Sequence, residues 1–446
     1  MPETQANTIT TATPAQPTRR QFMTKSAAAV AGAAFISPAL ASAVYAQGSD
    51  KLKVGLVGCG GRGCGAVSQA LHADEGTVLT GVCDLFKDQA EKGLSEIRSN
   101  TSDIAAQIQV NNDNIFSGWD GYKGLIDSVD VVLLATTPHF RPTHLKYAIE
   151  KGKQIFCEKP VGVDAKSVKE VMDLSNAAAK KGLNLVSGLC YRYEQYLKET
   201  MEQVHGGTIG DIVAINSNYL TGWLWNKPRQ PQWSDMEYQI RNWLYYYYLS
   251  GDHVVEQHIH SLDKALWAMN NVPPTRVTST GGRQQRTAKE FGNIYDHFGN
   301  IYEWDLEGGR QVRCFSYCRQ FDGQPAVSTD VSDLIIGTEG TANLMQHRIT
   351  GKKMWKRKPT TPENMYDSEH KALFGAIRSG KVINNGDYMC KSTLMGIMAR
   401  ESAYSGQTVT WDQILNSKQD LAPASGWQWG PLPVAPVAVP GEYKFM

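Results

Sequence analysis

Neither sign of charge dominates this chain: 45 Lys and Arg face 44 Asp and Glu across 446 residues, a net charge of +1. Such a balance offers no basic field for nucleic acid and no acidic tail, so a nucleic-acid partner is not expected. Cysteine is sparse and poorly spaced for redox or metal work. The eight cysteines (59, 64, 83, 157, 190, 314, 318, 390) include no C-x-x-C pair. Several fall within apolar runs that read as strands, which favours buried free thiols over a disulfide framework. The H-E-x-x-H spacing is missing too, there is no ladder of Cys and His, and no metal is expected. No internal repeat is visible. What remains is the composition of a soluble globular protein, 41% hydrophobic and 20% charged, long enough for about two domains.

One apolar run stands apart. "TRRQFMTK" leads into "SAAAVAGAAFISPALASA", and "ASA" (41–43) or "VYA" (44–46) offers small residues for cleavage. A membrane anchor is the alternative, since the run approaches the ~18-residue lower limit for a span. Ala and Gly dominate it, however, and Pro38 interrupts it. Residues 1–46 are therefore read as an export signal. Arg19 and Arg20, followed by Gln21 and Phe22, resemble the twin-arginine type. That resemblance implies a protein exported already folded to the periplasm with its cofactor tightly held, and no membrane contact after cleavage.

Residues 47–165 read as a dinucleotide-binding domain. "KLKVGLVGCGGRGCGAVSQAL" passes from a buried strand through glycines into a helical pattern. Gly58, Gly60 and Gly63 form G-x-G-x-x-G, with Gly61 and Arg62 inside the turn, and Asp84 ends the next strand 21 residues beyond Gly63. Glycines at these positions let the backbone approach a pyrophosphate at a helix N-terminus, and the carboxylate accepts hydrogen bonds from a ribose diol. An acid there repels a 2′-phosphate, so NAD is favoured over NADP. The alternative for Asp84 is an ordinary solvated strand end. Further strands, "VDVVLLATTPHF" and "KQIFCEKPVG", alternate with helices, which predicts a doubly wound parallel sheet with ligands at its carboxyl edge. Thr136, Thr137, Pro138, His139 and Glu158-Lys159-Pro160 fall at that edge.

"VGLVGCGGRG", "TTPHFRPTH" (ending at His144), "FCEKPVG" and a later segment, "GDHVVEQHIHSLDKALW", occur in this order over most of residues 51–410. In order and spacing they resemble the Gfo/Idh/MocA oxidoreductases. The resemblance implies an α/β domain with a large open, mainly antiparallel sheet after the Rossmann domain, here residues 166–410. It also implies cofactor contacts from the first motifs, His144 included, action on a sugar or polyol, and a homo-oligomer. The family places the E-K-P lysine, here Lys159, beside nicotinamide and substrate, where an ammonium favours a developing alkoxide. The family pattern D-x-x-x-H-x-x-D falls on Glu256, His260 and Asp263. On a continuous helix these share one face and His253 joins it a turn earlier, while His258 lies ~200° from His260. Proton transfer is favoured over metal binding, because imidazole titrates near neutrality and oxidation of a carbinol requires loss of the hydroxyl proton. His260 is the expected base or acid, with Glu256 or Asp263 setting its tautomer. Glutamate replaces the usual aspartate, and His258, a candidate substrate contact, stands where glycine is common. Backbone capping or packing is the alternative for His253 and His258.

Downstream, the family places the arginine and aromatic at the end of "LNLVSGLCYRY" in the crevice, so Arg192 and Tyr193 become candidate substrate contacts. An insertion over 219–248 carries four tryptophans among polar residues. Aromatic faces with polar rims suit pyranose rings, which nominates Trp223, Trp225, Arg241 and Asn242 as substrate-binding. The alternative is an arm packed against a neighbouring subunit. Residues 411–446 form a Pro-rich extension, expected to drape over its own or a partner surface. Three functions follow. The leading one is a periplasmic NAD-dependent oxidoreductase whose bound cofactor is reset within the site. The second is redox-neutral glycoside hydrolysis by oxidation, elimination, water addition and re-reduction. The third is a non-catalytic sugar-binding protein, against which the intact Gly58, Gly60, Gly63, Lys159 and His260 argue.

Overall fold

The structure, a computed structural model, describes residues 51–445 apart from 359 and 362. The expected export signal lies outside the described residues. The first half is a six-stranded parallel sheet of β1 (Leu52–Val57), β2 (Thr77–Asp84), β3 (Ile115–Ser117), β4 (Val131–Leu134), β5 (Gln154–Cys157) and β6 (Leu185–Ser187). Their order is β3-β2-β1-β4-β5-β6, a doubly wound arrangement whose direction reverses between β1 and β4. β4 and β5 are buried along their whole length, because helices cover both faces and leave no strand face for water. The sheet continues past residue 165: the helix Ala165–Lys180 and β6 still belong to it.

The second half is a nine-stranded sheet of β7 (Ile212–Thr221), β8 (Arg276–Gly282), β9 (His297–Asp305), β10 (Gln311–Gln320), β11 (Asp330–Gly337), β12 (Gly340–Asn343), β13 (Arg348–Gly351), β14 (Trp355–Lys356) and β15 (Val409–Thr410). Their order is β14-β13-β12-β11-β7-β10-β9-β8-β15. All neighbours are antiparallel except β7 and β10. Along β10 the even-numbered residues face inward and are buried while Phe315 and Tyr317 face out, the alternation a one-sided sheet requires. The same outer face carries Ile301, Leu334 and Ile336, none of them buried.

The helix Gly386–Ser405, buried almost throughout, packs between this sheet and the helices of the first half. All eight cysteines are free and buried, as their setting in apolar runs led us to expect. The C-terminal extension folds back on its own chain. Trp427 and Trp429 pack against Trp119 with ring centroids 5.9 and 4.8 Å away, and the Tyr443 hydroxyl donates to Glu401 at 3.0 Å. Among the described residues no helix is long and apolar enough to cross a membrane.

Candidate active site

The carboxyl edge of the first sheet opens into a cavity of about 430 Å³ at the β1/β4 switch point. Its floor is the glycine turn. Gly58 sits at φ +100°, and a Cβ there would lie 2.6 Å from the backbone of Ala135 and Thr136; one at Gly63 would strike the Gly58 carbonyl oxygen. Both positions therefore exclude any side chain. Gly60 and Gly61 face open space instead, and no side chain caps the helix Gly61–Ala73 that follows. Its first-turn N–H groups are left for an anion. Asp84, at the end of β2, accepts the N–H of Cys59 (2.9 Å) and of Phe86 (3.1 Å). Burial raises its pKa against the pull of those two donors, and each oxygen keeps lone pairs for a ribose. Such a bare turn, open helix end and acidic strand end fit a dinucleotide.

Thr136, Thr137 and His144 line the far side of the cavity. The Thr136 hydroxyl lies 3.2 Å from His144 Nδ1, and burial, with Arg141 next, pushes this histidine down to about 3. Arg62 forms an ion pair with buried Glu158 (3.2 Å) and lies over the Tyr366 ring. Pro138 and His139 are not part of the lining. His139 Nδ1 meets the Tyr248 carbonyl at 2.7 Å and its ring abuts Trp427, so it ties the domains together.

Just beyond β5, Lys159 Nζ donates to Glu256 Oε1 at 2.8 Å and to the Glu256 backbone carbonyl. The two side chains come from different halves of the molecule, and each remains 15% exposed. His260 stands in the same field. Burial, then Lys159, then Lys264 press its pKa well below the ordinary histidine value, leaving a neutral ring. The Tyr191 ring meets it edge-on at 5.4 Å. Tyr191 also lies 4.3 Å from the buried Lys264 ammonium, which pairs with Asp333.

The histidine segment is not one continuous helix. Short helices His253–Glu256 and Ile259–Ala268 meet at Gln257 and His258, where the His258 N–H reaches back five residues to the His253 carbonyl. This wide turn breaks the four-residue register between Glu256 and His260. Glu256 accordingly serves Lys159. Asp263 does not orient His260: it holds Arg192 through two 2.8 Å bonds and accepts the Ser392 hydroxyl. His253 is buried against Asp252, and fully buried His258 bonds Ser316, so neither reaches substrate.

Several expected substrate contacts prove structural. Arg192 is sealed by Asp263, Asn271 and the Tyr388 ring, and Tyr193 donates to Asn385 at 2.7 Å. A 3₁₀ turn at Cys190–Tyr193 replaces the strand end and presents Tyr191 to the site instead. Its place in the Y-R-Y triplet was the available signal. In the insertion, Arg241 binds Asp88 and Glu237 over the Phe86 ring, and buried Asn242 receives the Lys227 N–H. Trp223 packs on Phe291. Of the four nominated residues, Trp225 and Arg241 line the cavity, together with Lys227, Ile240 and Trp243 of the same insertion, and they do so on the nucleotide side.

Residues 52–189 match the family model described as an oxidoreductase family with an NAD-binding Rossmann fold. An uncharacterised oxidoreductase of Streptococcus pneumoniae is 26% identical over 55% of this chain and 57% of its own length. The matched region thus spans little more than half of that relative. Inositol 2-dehydrogenase 3 of Saccharopolyspora erythraea is 21% identical over 67% of this chain and 75% of its own. A glycosyl hydrolase family 109 protein of Phocaeicola vulgatus is 29% identical over 38% and 31%. Among solved structures, the aldose-aldose oxidoreductase of Caulobacter crescentus shares the fold with a TM-score of 0.61 at 18% identity, over 81% of this chain and 99% of that one.

Proposed function

We propose, from the match of residues 52–189 to the oxidoreductase family model with an NAD-binding Rossmann fold, that the chain acts as a Gfo/Idh/MocA-type enzyme and oxidises a hydroxyl of a sugar, polyol or glycoside with a retained NAD. The single observation that carries this reading is the Lys159–Glu256 contact of 2.8 Å beside His260. A fixed ammonium and a neutral imidazole, supplied by opposite halves of the chain, meet near the cofactor edge. When bound, NAD accepts the hydride. Glu256 holds the Lys159 ammonium in one orientation, and that ammonium stabilises negative charge growing on the substrate oxygen. His260, kept neutral by its surroundings, takes the hydroxyl proton on the ring nitrogen that carries none.

A second reading, redox-neutral glycoside hydrolysis, is favoured by the family 109 relative. It needs the same groups: oxidation acidifies the neighbouring carbon, a substituent leaves, water adds, and the hydride returns. The paired Arg19 and Arg20 support export by the twin-arginine route and work in the periplasm. The outward apolar residues Ile301, Phe315 and Tyr317 support a homo-oligomer built on that sheet face.

The test is to release and weigh the nucleotide carried by purified protein, then to supply sugars, polyols and aryl glycosides. Reduced nicotinamide without release of an aglycone supports the oxidoreductase, and aglycone release without net reduction supports the hydrolase. Bound sugar with neither leaves a binding protein and defeats the proposal.

A further inference from the structure

The loop 222–227 leaves the end of β7 in the second half, yet its Trp225 and Lys227 form part of the wall of the cavity in the first, which Asp84 also lines. It is held from behind. The Tyr245 hydroxyl donates to the Leu224 carbonyl at 3.0 Å, Asn226 donates to the Glu290 carbonyl at 3.0 Å, and the Lys227 N–H donates to Asn242 at 3.0 Å. A loop so fixed does not collapse onto its own aromatics. Trp225 remains 43% exposed on the cavity wall, meeting Trp243 and Tyr245 edge-on and the Lys227 ammonium at 5.7 Å from its ring centroid. Lys227 is exposed as well, and among the described residues no carboxylate lies within ion-pair distance of it. Its neighbour Arg241 is already engaged by Asp88 and Glu237. The cavity thus holds an indole with no ring stacked on its face, approached by an ammonium 5.7 Å from its centroid that has no carboxylate of its own, both opposite the acid at the end of β2.

Resting on the dinucleotide reading above, the geometry points to Trp225 and Lys227 as the second domain's half of the adenosine subsite: the indole stacks on adenine and the ammonium meets a ribose oxygen across from Asp84. Release of the cofactor then requires breaking a contact between the domains. That explains how a nucleotide placed by the first half is retained by the second, and it reassigns this part of the insertion from sugar to cofactor.

The test compares holoprotein of wild type, Trp225→Ala, Lys227→Met and, as a control outside the cavity, Trp223→Ala. Dissociation of NAD is followed by chasing with a fluorescent etheno-adenine analogue, alongside nucleotide content per chain after gel filtration. Trp225→Ala should release NAD about 5- to 150-fold faster, the range for loss of one base–aromatic stack. Lys227→Met should release it a few-fold faster, with Trp223→Ala unchanged. Wild-type release rates in both cavity variants would overturn the assignment, as would equal acceleration in Trp223→Ala, which would trace the effect to loop integrity. A wild type that neither carries nor takes up dinucleotide would remove the oxidoreductase reading itself, and this inference with it.

Discussion

Two of the cation–carboxylate pairs that join the halves of this molecule, Arg192–Asp263 and Lys159–Glu256, make an instructive contrast. Arg192 and Asp263 are 8% and 1% exposed and joined by two 2.8 Å bonds; Arg192 also donates to Asn271 and lies against the Trp267 and Tyr388 rings, while Asp263 accepts the Ser392 hydroxyl. Lys159 and Glu256 are also 2.8 Å apart, but both stay 15% exposed, beside a neutral histidine. A satisfied, sealed pair stabilises the fold; a pair with one open side is available for chemistry. Exposure and spare hydrogen-bonding capacity separate the two, whereas residue type does not.

The largest expected effect breaks the sealed pair. Arg192→Ala strands a buried carboxylate and should cost about 3–5 kcal/mol of stability in chemical denaturation, with the turnover of surviving folded enzyme nearly unchanged. Lys159→Met should do the reverse, lowering kcat about 10²–10³-fold with an unfolding midpoint close to wild type. Equal losses of stability in the two variants would erase the distinction.

The histidines sharpen the same contrast. His260 should titrate with the rate. Because it is held well below the ordinary histidine value, the acid limb of kcat/KM should lie well below pH 6.5. In Lys159→Met the limb of the residual activity should move up, since a cation pressing on the ring is gone. His144, His258 and His370 should titrate with the fold instead. Burial holds each near 3, against roughly 6.5 when unfolded. The unfolded chain therefore binds up to three more protons between those values, so stability is full above about pH 6.5 and falls as pH drops. The three together contribute a slope of roughly 4 kcal/mol per pH unit. His258→Asn should remove about a third of that slope in acid-unfolding curves. The smallest effect belongs to Glu256→Gln, which keeps the shape but weakens a charged hydrogen bond: about 10- to 100-fold in kcat, with nucleotide content unchanged.

The same contrast governs what the sequence discloses. The positions of the glycine turn, Asp84 and Lys159 at the carboxyl edge of the first sheet were legible because they depend on neighbours close in the chain: a strand before, a helix after, an E-K-P triplet. Arg192 was misplaced because a 3₁₀ turn at Cys190–Tyr193, invisible in residue type, exchanged it with Tyr191. Asp263 and His258 were misplaced because their partners lie far off, at Arg192 and Ser316, and because one wide turn undid a helical register. The insertion's aromatics were recognisable as more than core packing, and Trp225 and Trp243 do line the cavity. Where they would stand was not, since Trp225 and Arg241 cross to a domain whose Asp84 and Asp88 lie more than a hundred residues earlier.

The most direct test of the open pair's role is a single turnover: enzyme carrying equal nucleotide is mixed with a sugar that wild type oxidises, and the appearance of reduced nicotinamide is timed. Lys159→Met is expected to load NAD to the wild-type stoichiometry and to reduce it about 10²-fold or more slowly. Reduction at the wild-type rate would contradict that role.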